Sequence, residues 1–346
     1  MLYLVTGATG WLGQRLVRIL TEGTPEMGPV GGGKNSVRVL VRPGVGASEM
    51  IALGAQAVVG DIRDITAVRQ LVCGAEGASL FHVAGVIHPR SGTREFEDVN
   101  IKGTHNLILA GSEAGLKRIV AMSSNSPIGA SKNPAEIFDE ESPYNPYMGY
   151  GRSKRAMEEL LLAHKATSRL PEITIVRAPW FYGPGQPPRQ TTFFTMIKQG
   201  TFPLMGRGEA RRSMGYVDSL AHGMLLAALA PQAAGNTYWM ADERPYPFYE
   251  IVDTVRAVLS EDFGIPVKPN TLRLPSLVSD IARVADRALQ GASLYSQKIH
   301  VLSEMNLTIA CSISKAKRDL GYRPLVSLRE GMRRSVEWCL KQQIAI

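Results

Sequence analysis

The chain of 346 residues reads as an α/β protein: a parallel sheet covered by helices on both faces. Three observations predict this. Strand and helix patterns alternate through the first half of the chain. A glycine-rich turn follows the first strand directly and opens the first helix. Hydrophobic content of 45% with 20% charged residues is ordinary for a globular chain able to bury a large core.

The elements follow in order. "LYLVT" (2–6) is a short apolar run ending at a glycine, and "WLGQRLVRIL" (11–20) has helical spacing. The stretch "TEGTPEMGPVGGGKNS" (21–36) is Gly/Pro-rich and reads as a flexible surface loop. Its Gly31–Gly32–Gly33–Lys34 run lacks the second half of a P-loop. "SVRVLV" (36–41) is a β-branched strand; "AQAVVG" (55–60), "ASLFHVA" (78–84) and "RIVAMSS" (118–124) continue the series. Helical segments fall between them, around 64–73 and 93–114. Residues 274–290, "LPSLVSDIARVADRALQ", carry apolar residues at helical spacing and predict a long helix, packed into the core or walling a pocket. No repeat of fixed period is present.

Composition narrows the function. The formal charge of +8 serves solubility or attracts an anionic ligand such as a phosphorylated cofactor. No Lys/Arg run interleaved with aromatics marks a nucleic-acid face. Cys73, Cys311 and Cys339 have neither metal-type spacing nor a disulfide framework, so no metal and a reducing, cytoplasmic setting are expected. The first residues lack the basic region of a signal peptide, and no apolar run reaches the roughly 18 residues of a membrane span.

The glycine turn "TGATGWLG" places Gly7, Gly10 and Gly13 at G-x-x-G-x-x-G spacing between strand and helix. Such glycines let the backbone approach a pyrophosphate, which sits against the N–H groups of the helix start. The second strand ends in "VLVRPG". Arg42 stands where an acid would accept from the ribose hydroxyls of a nicotinamide cofactor without a 2′-phosphate. A guanidinium there binds a 2′-phosphate, or is simply a solvated side chain. NADP(H) is therefore favoured and NAD(H) stays open. In "VVGDIRD", Asp61 can accept from an adenine amino group, with Ile62 beneath the ring; Asp64 is the better helix cap.

In "NPYMGYGRSKRAMEE", Tyr150 precedes Lys154 by four residues, so a helix raises both from one face. An isolated phenol has a pKa near 10. A neighbouring ammonium favours phenolate and can lower this by roughly 1–3 units, toward the range of effective acid–base catalysis. A buried tyrosine beside a surface lysine is the plain structural reading.

These residues carry a resemblance over nearly the whole chain. "TGATGWLG", "GDIRD", "FHVAG", "VNIKGTHNLI", "VAMSSNSPIG", "YGRSK", "VRAPWFYGPG" and "YVDSLAHGMLLA" occur in the order found in extended short-chain dehydrogenases/reductases. In look the chain is similar to the 3β-hydroxysteroid dehydrogenase and dihydroflavonol reductase branch. One departure is "HVAG" where two alanines are more usual. The resemblance implies a doubly wound (Rossmann) dinucleotide-binding domain over 1–178. It implies a smaller, mainly substrate-binding domain over 179–346, some of whose segments return to the first. It implies that Gly7, Thr9, Gly10, Trp11, Leu12 and Gly13 hold the dinucleotide. Ala84 and Gly85 would line its adenosine and ribose side, with Asn100 and Thr104 on the central helix.

By the same matching Tyr150 is the proton donor or acceptor. Lys154 is its electrostatic partner and bonds the nicotinamide ribose. Of Ser123, Ser124 and Ser126, the spacing to Gly129 selects Ser124 as the hydroxyl that holds the reacting oxygen; Ser123 would bond backbone or cofactor. Pro179 belongs to the loop meeting the nicotinamide carboxamide. Two reactions fit a small-molecule substrate: interconversion of a secondary alcohol and a ketone, or epimerisation or dehydration of a nucleotide sugar with bound NAD. Trp180, where sugar epimerases commonly carry an asparagine, favours an apolar substrate. Arg212, with Arg211 beside it, matches an arginine that grips a diphosphate. A non-catalytic NADP-binding regulator is a third reading, disfavoured by the retained Ser124, Tyr150 and Lys154. A homodimer through a four-helix interface follows by analogy alone.

Overall fold

The computed structural model describes residues 1–23, 28, 35–90, 92–167 and 170–346. Most of the Gly/Pro-rich 21–36 stretch, including Gly31 to Lys34, lies outside the described residues. In chain order the first half comprises β1 (Leu2–Thr6), α1 (Trp11–Glu22), β2 (Ser36–Val41), α2 (Ser48–Ala52), β3 (Gln56–Val59) and α3 (Ile65–Val72). It continues with β4 (Ser79–His82), a π-helical turn (Phe96–Lys102) running into α4 (Gly103–Glu113), β5 (Arg118–Met122), α5 (Met148–Thr167) and β6 (Glu172–Arg177). The second half holds β7 (Trp180–Tyr182), α6 (Pro188–Lys198), β8 (Pro203–Met205), β9 (Arg211–Arg212), β10 (Met214–Tyr216) and α7 (Val217–Leu229). Then come β11 (Thr237–Trp239), β12 (Tyr246–Pro247), α8 (Phe248–Ala257), β13 (Leu272–Leu274), α9 (Ser276–Gly291), α10 (Gln297–Glu304), α11 (Ser314–Leu320) and α12 (Leu328–Lys341).

Seven parallel strands form the main sheet in the order β11-β6-β5-β4-β1-β2-β3. This is a doubly wound, Rossmann-type sheet. The strand order reverses between β1 and β4, with Val5 opposite Val39 on one side and Phe81 on the other. Ligands of such sheets bind outside the strand ends at that reversal. The inner strands are apolar almost throughout because both faces are covered. One face packs on α1 and α7 through residues such as Leu16, Val17, Leu220 and Met224. The other packs on α3, α4 and α5 through Val68, Leu107, Met157 and Leu161. Arg15 of α1 clamps Asp218 of α7 through two hydrogen bonds of 2.6 and 2.7 Å.

His82, the unusual residue of "HVAG", is buried at the end of β4. Its ring bridges Thr6 and Thr104, each at 2.9 Å, and burial pushes its pKa down to about 3. A neutral imidazole thus ties β1 to α4 beneath the strand reversal. Asp64 caps α3 by accepting from Thr66 N–H at 2.9 Å.

From Trp180 onward the chain forms short strand pairs, β7 with β10, β9 with β12 and β8 with β13, around a third core of Phe194, Tyr216, Ile251 and Val336. β11 returns to the main sheet beside β6. The helix predicted over 274–290 is present as α9, but its expected burial is reversed. Ser279, Ala282, Asp286 and Gln290 face inward, while Leu277, Ile281 and Val284 are exposed. Hydrogen bonding decides the rotation: Asp286 bonds Gln290 at 3.0 Å and His300 at 2.7 Å, and Ser279 bonds the Ser303 carbonyl at 3.0 Å.

Candidate active site

The turn after β1 leaves no room for side chains. Gly7 has φ +73°, and a Cβ there would lie 2.5 Å from the Ala84 nitrogen. A Cβ on Gly13 would lie 2.1 Å from the Gly7 carbonyl oxygen. Gly10 begins α1 with no side-chain cap and no acid in the first turn, so the N–H groups of Trp11, Leu12 and Gly13 open toward the strand reversal with their positive dipole end. These features fit a dinucleotide pyrophosphate, and Thr9 lies in the same turn. Trp11 instead faces the second half of the chain. Its Nε1 donates to the Pro184 carbonyl at 2.7 Å and its ring packs on Phe181 at 4.9 Å.

Three segments converge beside this turn. Asn100, buried in the π-helical turn, accepts from Val86 N–H at 2.8 Å and donates to Val86 O and Ser153 Oγ at 3.0 and 2.9 Å. It pins the loop behind β4 against α5. A Cβ on Gly85 would lie 3.3 Å from Asn100 Oδ1 and 3.4 Å from Lys154 Nζ, so Gly85 is the floor on which both meet. Thr104 donates to the Asn100 carbonyl at 2.7 Å. Ile62, buried, packs on Gly103.

Tyr150 and Lys154 rise from the first turns of α5. Ser124 lies beside the Tyr150 phenol and pulls its pKa down, while Ser124 Oγ accepts from Ser126 N–H at 3.2 Å. The expected lowering of the phenol by Lys154 is corrected by the structure. Burial pushes Tyr150 up to about 12, against smaller downward pulls from Ser124 and Arg189. Lys154 is not among the groups that act on the phenol; its ammonium donates to the Met122 carbonyl at 2.8 Å. Burial lowers Lys154 to about 8, opposed by the charge of Glu158 one turn further along α5. Ser123 is likewise engaged elsewhere: its hydroxyl donates to Glu158, so the hydroxyl bond goes inward to an acid.

The outer positions are mixed. Arg42 is exposed directly behind β2 and lies close enough to Asp61 to act on its charge. Asp61 itself is held by Arg63 through Nε and NH2, each at 2.9 Å, which lowers its pKa. Its carboxylate is thus already occupied by a guanidinium. Pro179 is buried between β6 and β7. Trp180 packs edge-on against Phe193 at 5.3 Å. Arg212 is not a solvated loop residue. It is buried, donates to the Glu304 carbonyl at 2.7 Å and stacks on Phe248 at 5.1 Å.

Four further residues border Tyr150 that the sequence pattern does not single out. Tyr295 accepts or donates to His88 Nδ1 at 2.6 Å, and Phe96 lies between the Tyr150 and Tyr295 rings at 6.0 and 6.3 Å. Arg189, in the first turn of α6, acts electrostatically on Tyr150, Tyr295 and His88. Gln290 Oε1 accepts from Gly149 N–H at 2.9 Å, satisfying the start of α5 one residue before Tyr150. Among the described residues no group of His, Cys, Asp and Glu could hold a metal ion, and no helix is long and apolar enough to cross a membrane.

Comparison with known proteins gives the family and the likeness of fold. The family model described as "NAD dependent epimerase/dehydratase family" matches residues 3–241. The chain is 54% identical over 340 residues to protein y4nL of Sinorhizobium fredii (strain NBRC 101917 / NGR234), covering 98% of this chain and 95% of that one. It is 28% identical to a 2-alkyl-3-oxoalkanoate reductase of Stenotrophomonas maltophilia (strain K279a), covering 96% and 98%. Other relatives include 3β-hydroxysteroid dehydrogenases. The crystal structure of gox2253 superposes with a TM-score of 0.79 at 24% identity, covering 100% and 99%, a likeness of fold.

Proposed function

The chain belongs to the NAD dependent epimerase/dehydratase family, and on that premise we propose that it interconverts a secondary alcohol and a ketone, with Tyr150 as the proton donor or acceptor. A nicotinamide dinucleotide, when held by the Gly7–Gly13 turn, would supply or accept the hydride. The observation that carries the reading is the convergence of Ser124 and Tyr150 beside Lys154, around a phenol that burial keeps protonated at neutral pH. A protonated phenol is the state needed to give a proton to the oxygen of a ketone as it becomes an alkoxide. Ser124 holds that oxygen. Lys154, charged below about pH 8, sits where Gly85 and Asn100 meet and orients the ribose.

The substrate class follows from two supports. Arg212 is already bonded to the Glu304 carbonyl and stacked on Phe248, which suits a structural role better than a diphosphate grip. The Stenotrophomonas relative is named as a reductase of an oxo compound. Arg42, exposed behind β2 beside an Asp61 that is itself paired to Arg63, supports NADP(H) as the preferred cofactor.

A thermal-shift screen with NADP⁺ or NAD⁺ present tests the substrate class, because a ligand of the folded state raises stability by RT ln(1 + [L]/Kd). A shift with steroid-like, flavonoid-like or 3-oxoalkanoate ketones is expected. A shift confined to UDP- or dTDP-sugars and lost in Arg212→Ala would replace this reading with a nucleotide-sugar enzyme.

A further inference from the structure

The outward face of α9 is the feature that the proposed reaction leaves unused. Leu277, Ile281 and Val284 are 64, 60 and 70% exposed. Their spacing of i, i+4 and i+7 sets them in one row along the helix. Leu272 on β13, Leu294 in the following linker and Val301 on α10 are exposed as well. Scattered exposed aliphatics need no explanation, but a row of them on one element marks an interaction surface. The row cannot simply roll inward. The opposite face is held by Asp286 with His300 and Gln290, by Gln290 with Gly149, and by Ser279 with the Ser303 carbonyl.

The exposed charged residues between Leu272 and Glu304 are all basic. Arg273, Arg287 and Lys298 are exposed. The acids of the same stretch are less exposed: Asp286 is fully buried, Asp280 is paired with Lys132 at 3.3 Å and Arg283 at 3.1 Å, and Glu304 at the end of α10 is half-buried. An apolar row with a basic rim is the pattern of a helix that lies in a membrane interface. Basic side chains at such a rim are attracted to anionic lipid headgroups. A second copy of the chain is disfavoured as the occupant, because a two-fold contact through this face would set one basic rim against another.

We propose that the α9 face docks on an anionic lipid surface, with Leu277, Ile281 and Val284 at the acyl boundary and Arg273, Arg287 and Lys298 at the phosphates. The helix lies on the membrane and does not cross it. Docking of this face is independent of which substrate the cleft takes. It also brings the cleft close to the bilayer, since Gln290 on the inward side of α9 bonds the start of the helix that carries Tyr150.

Co-sedimentation of the full chain with vesicles tests this. Vesicles of phosphatidylcholine alone are compared with vesicles of phosphatidylcholine and phosphatidylglycerol, at low and high salt. Partition onto the anionic vesicles should exceed that onto phosphatidylcholine at least about tenfold and fall with salt. The double variant Ile281→Glu/Val284→Glu should lose at least about tenfold in partition while keeping the parent's circular dichroism and NADPH affinity. Arg287→Glu, which leaves the apolar row untouched, should weaken binding to anionic vesicles only. Absence of parent binding to anionic vesicles, or equal binding by the double variant, overturns the proposal. So does a concentration-dependent dimer that the double variant abolishes, without vesicle binding, which would make the face a contact between copies.

Discussion

Replacing Glu158 by glutamine probes the buried acid of α5, one turn beyond Lys154. Glu158 is fully buried and is surrounded by donors: Ser123 Oγ, Tyr144 OH at 2.8 Å, and Arg177 through NH2 at 2.8 Å and Nε at 3.2 Å. Glutamine keeps the volume but points N–H groups at a guanidinium that cannot accept and at two hydroxyls that would have to turn. It also strips the counter-charge from Arg177, a guanidinium only 4% exposed. Removing one partner of a buried pair costs about 3–5 kcal/mol, because the remaining charge stays desolvated. Urea unfolding, followed by midpoint and slope, should show a loss of that size. A pH effect accompanies it. The Glu158 charge raises Lys154, whose pKa burial has brought down to about 8, so Lys154 is charged below that pH and neutral above it. Without the Glu158 charge the ammonium loses its proton at lower pH, and the alkaline fall in activity of the remaining folded enzyme moves to lower pH. A stability loss under about 1 kcal/mol, or an alkaline limb that does not move, would refute this account of Glu158.

Other consequences are simpler. Gly7→Ala places a Cβ 2.5 Å from the Ala84 nitrogen at a positive φ, so dinucleotide affinity measured by fluorescence titration should collapse even in the folded fraction. Asp64→Ala removes the α3 cap and should cost about 0.5–2 kcal/mol in urea unfolding while leaving cofactor affinity unchanged. Arg42→Ala should lower NADPH affinity and leave NADH affinity nearly untouched; equal affinities for both cofactors in the parent would remove the basis for NADP(H) preference.

Some of this was legible from the residues and some was not, for physical reasons. Strands β1, β4 and β5 announce themselves because a parallel strand covered on both faces must be apolar at nearly every position, whereas the edge strand β3 shows only its β-branched run. The glycine turn is legible because the close approach of Gly7 to Ala84 tolerates no side chain. The four-residue spacing put Tyr150 and Lys154 on one helix face, but spacing says nothing of where a long side chain ends. The Lys154 ammonium ends at the Met122 carbonyl, at the end of β5, and burial is the main influence on the phenol. Periodicity likewise found α9 and missed its rotation. It tells which residues share a row, whereas the bonds of Asp286 and Gln290 decide which row faces inward. The π-helical turn at 96–102 leaves no compositional mark, yet it carries Asn100 onto Val86. Tyr295 and Gln290 reach Tyr150's surroundings from about 140 residues away, beyond any local pattern.

The claim at the centre is that Tyr150 moves the proton, and Tyr150→Phe tests it most directly. The substitution removes one hydroxyl from a ring that keeps its packing against Phe96. On a ketone identified by the thermal-shift screen, kcat should fall about 10²–10⁴-fold while NADPH affinity stays at the parent value. Turnover at the parent rate, with cofactor affinity intact, would contradict the assignment.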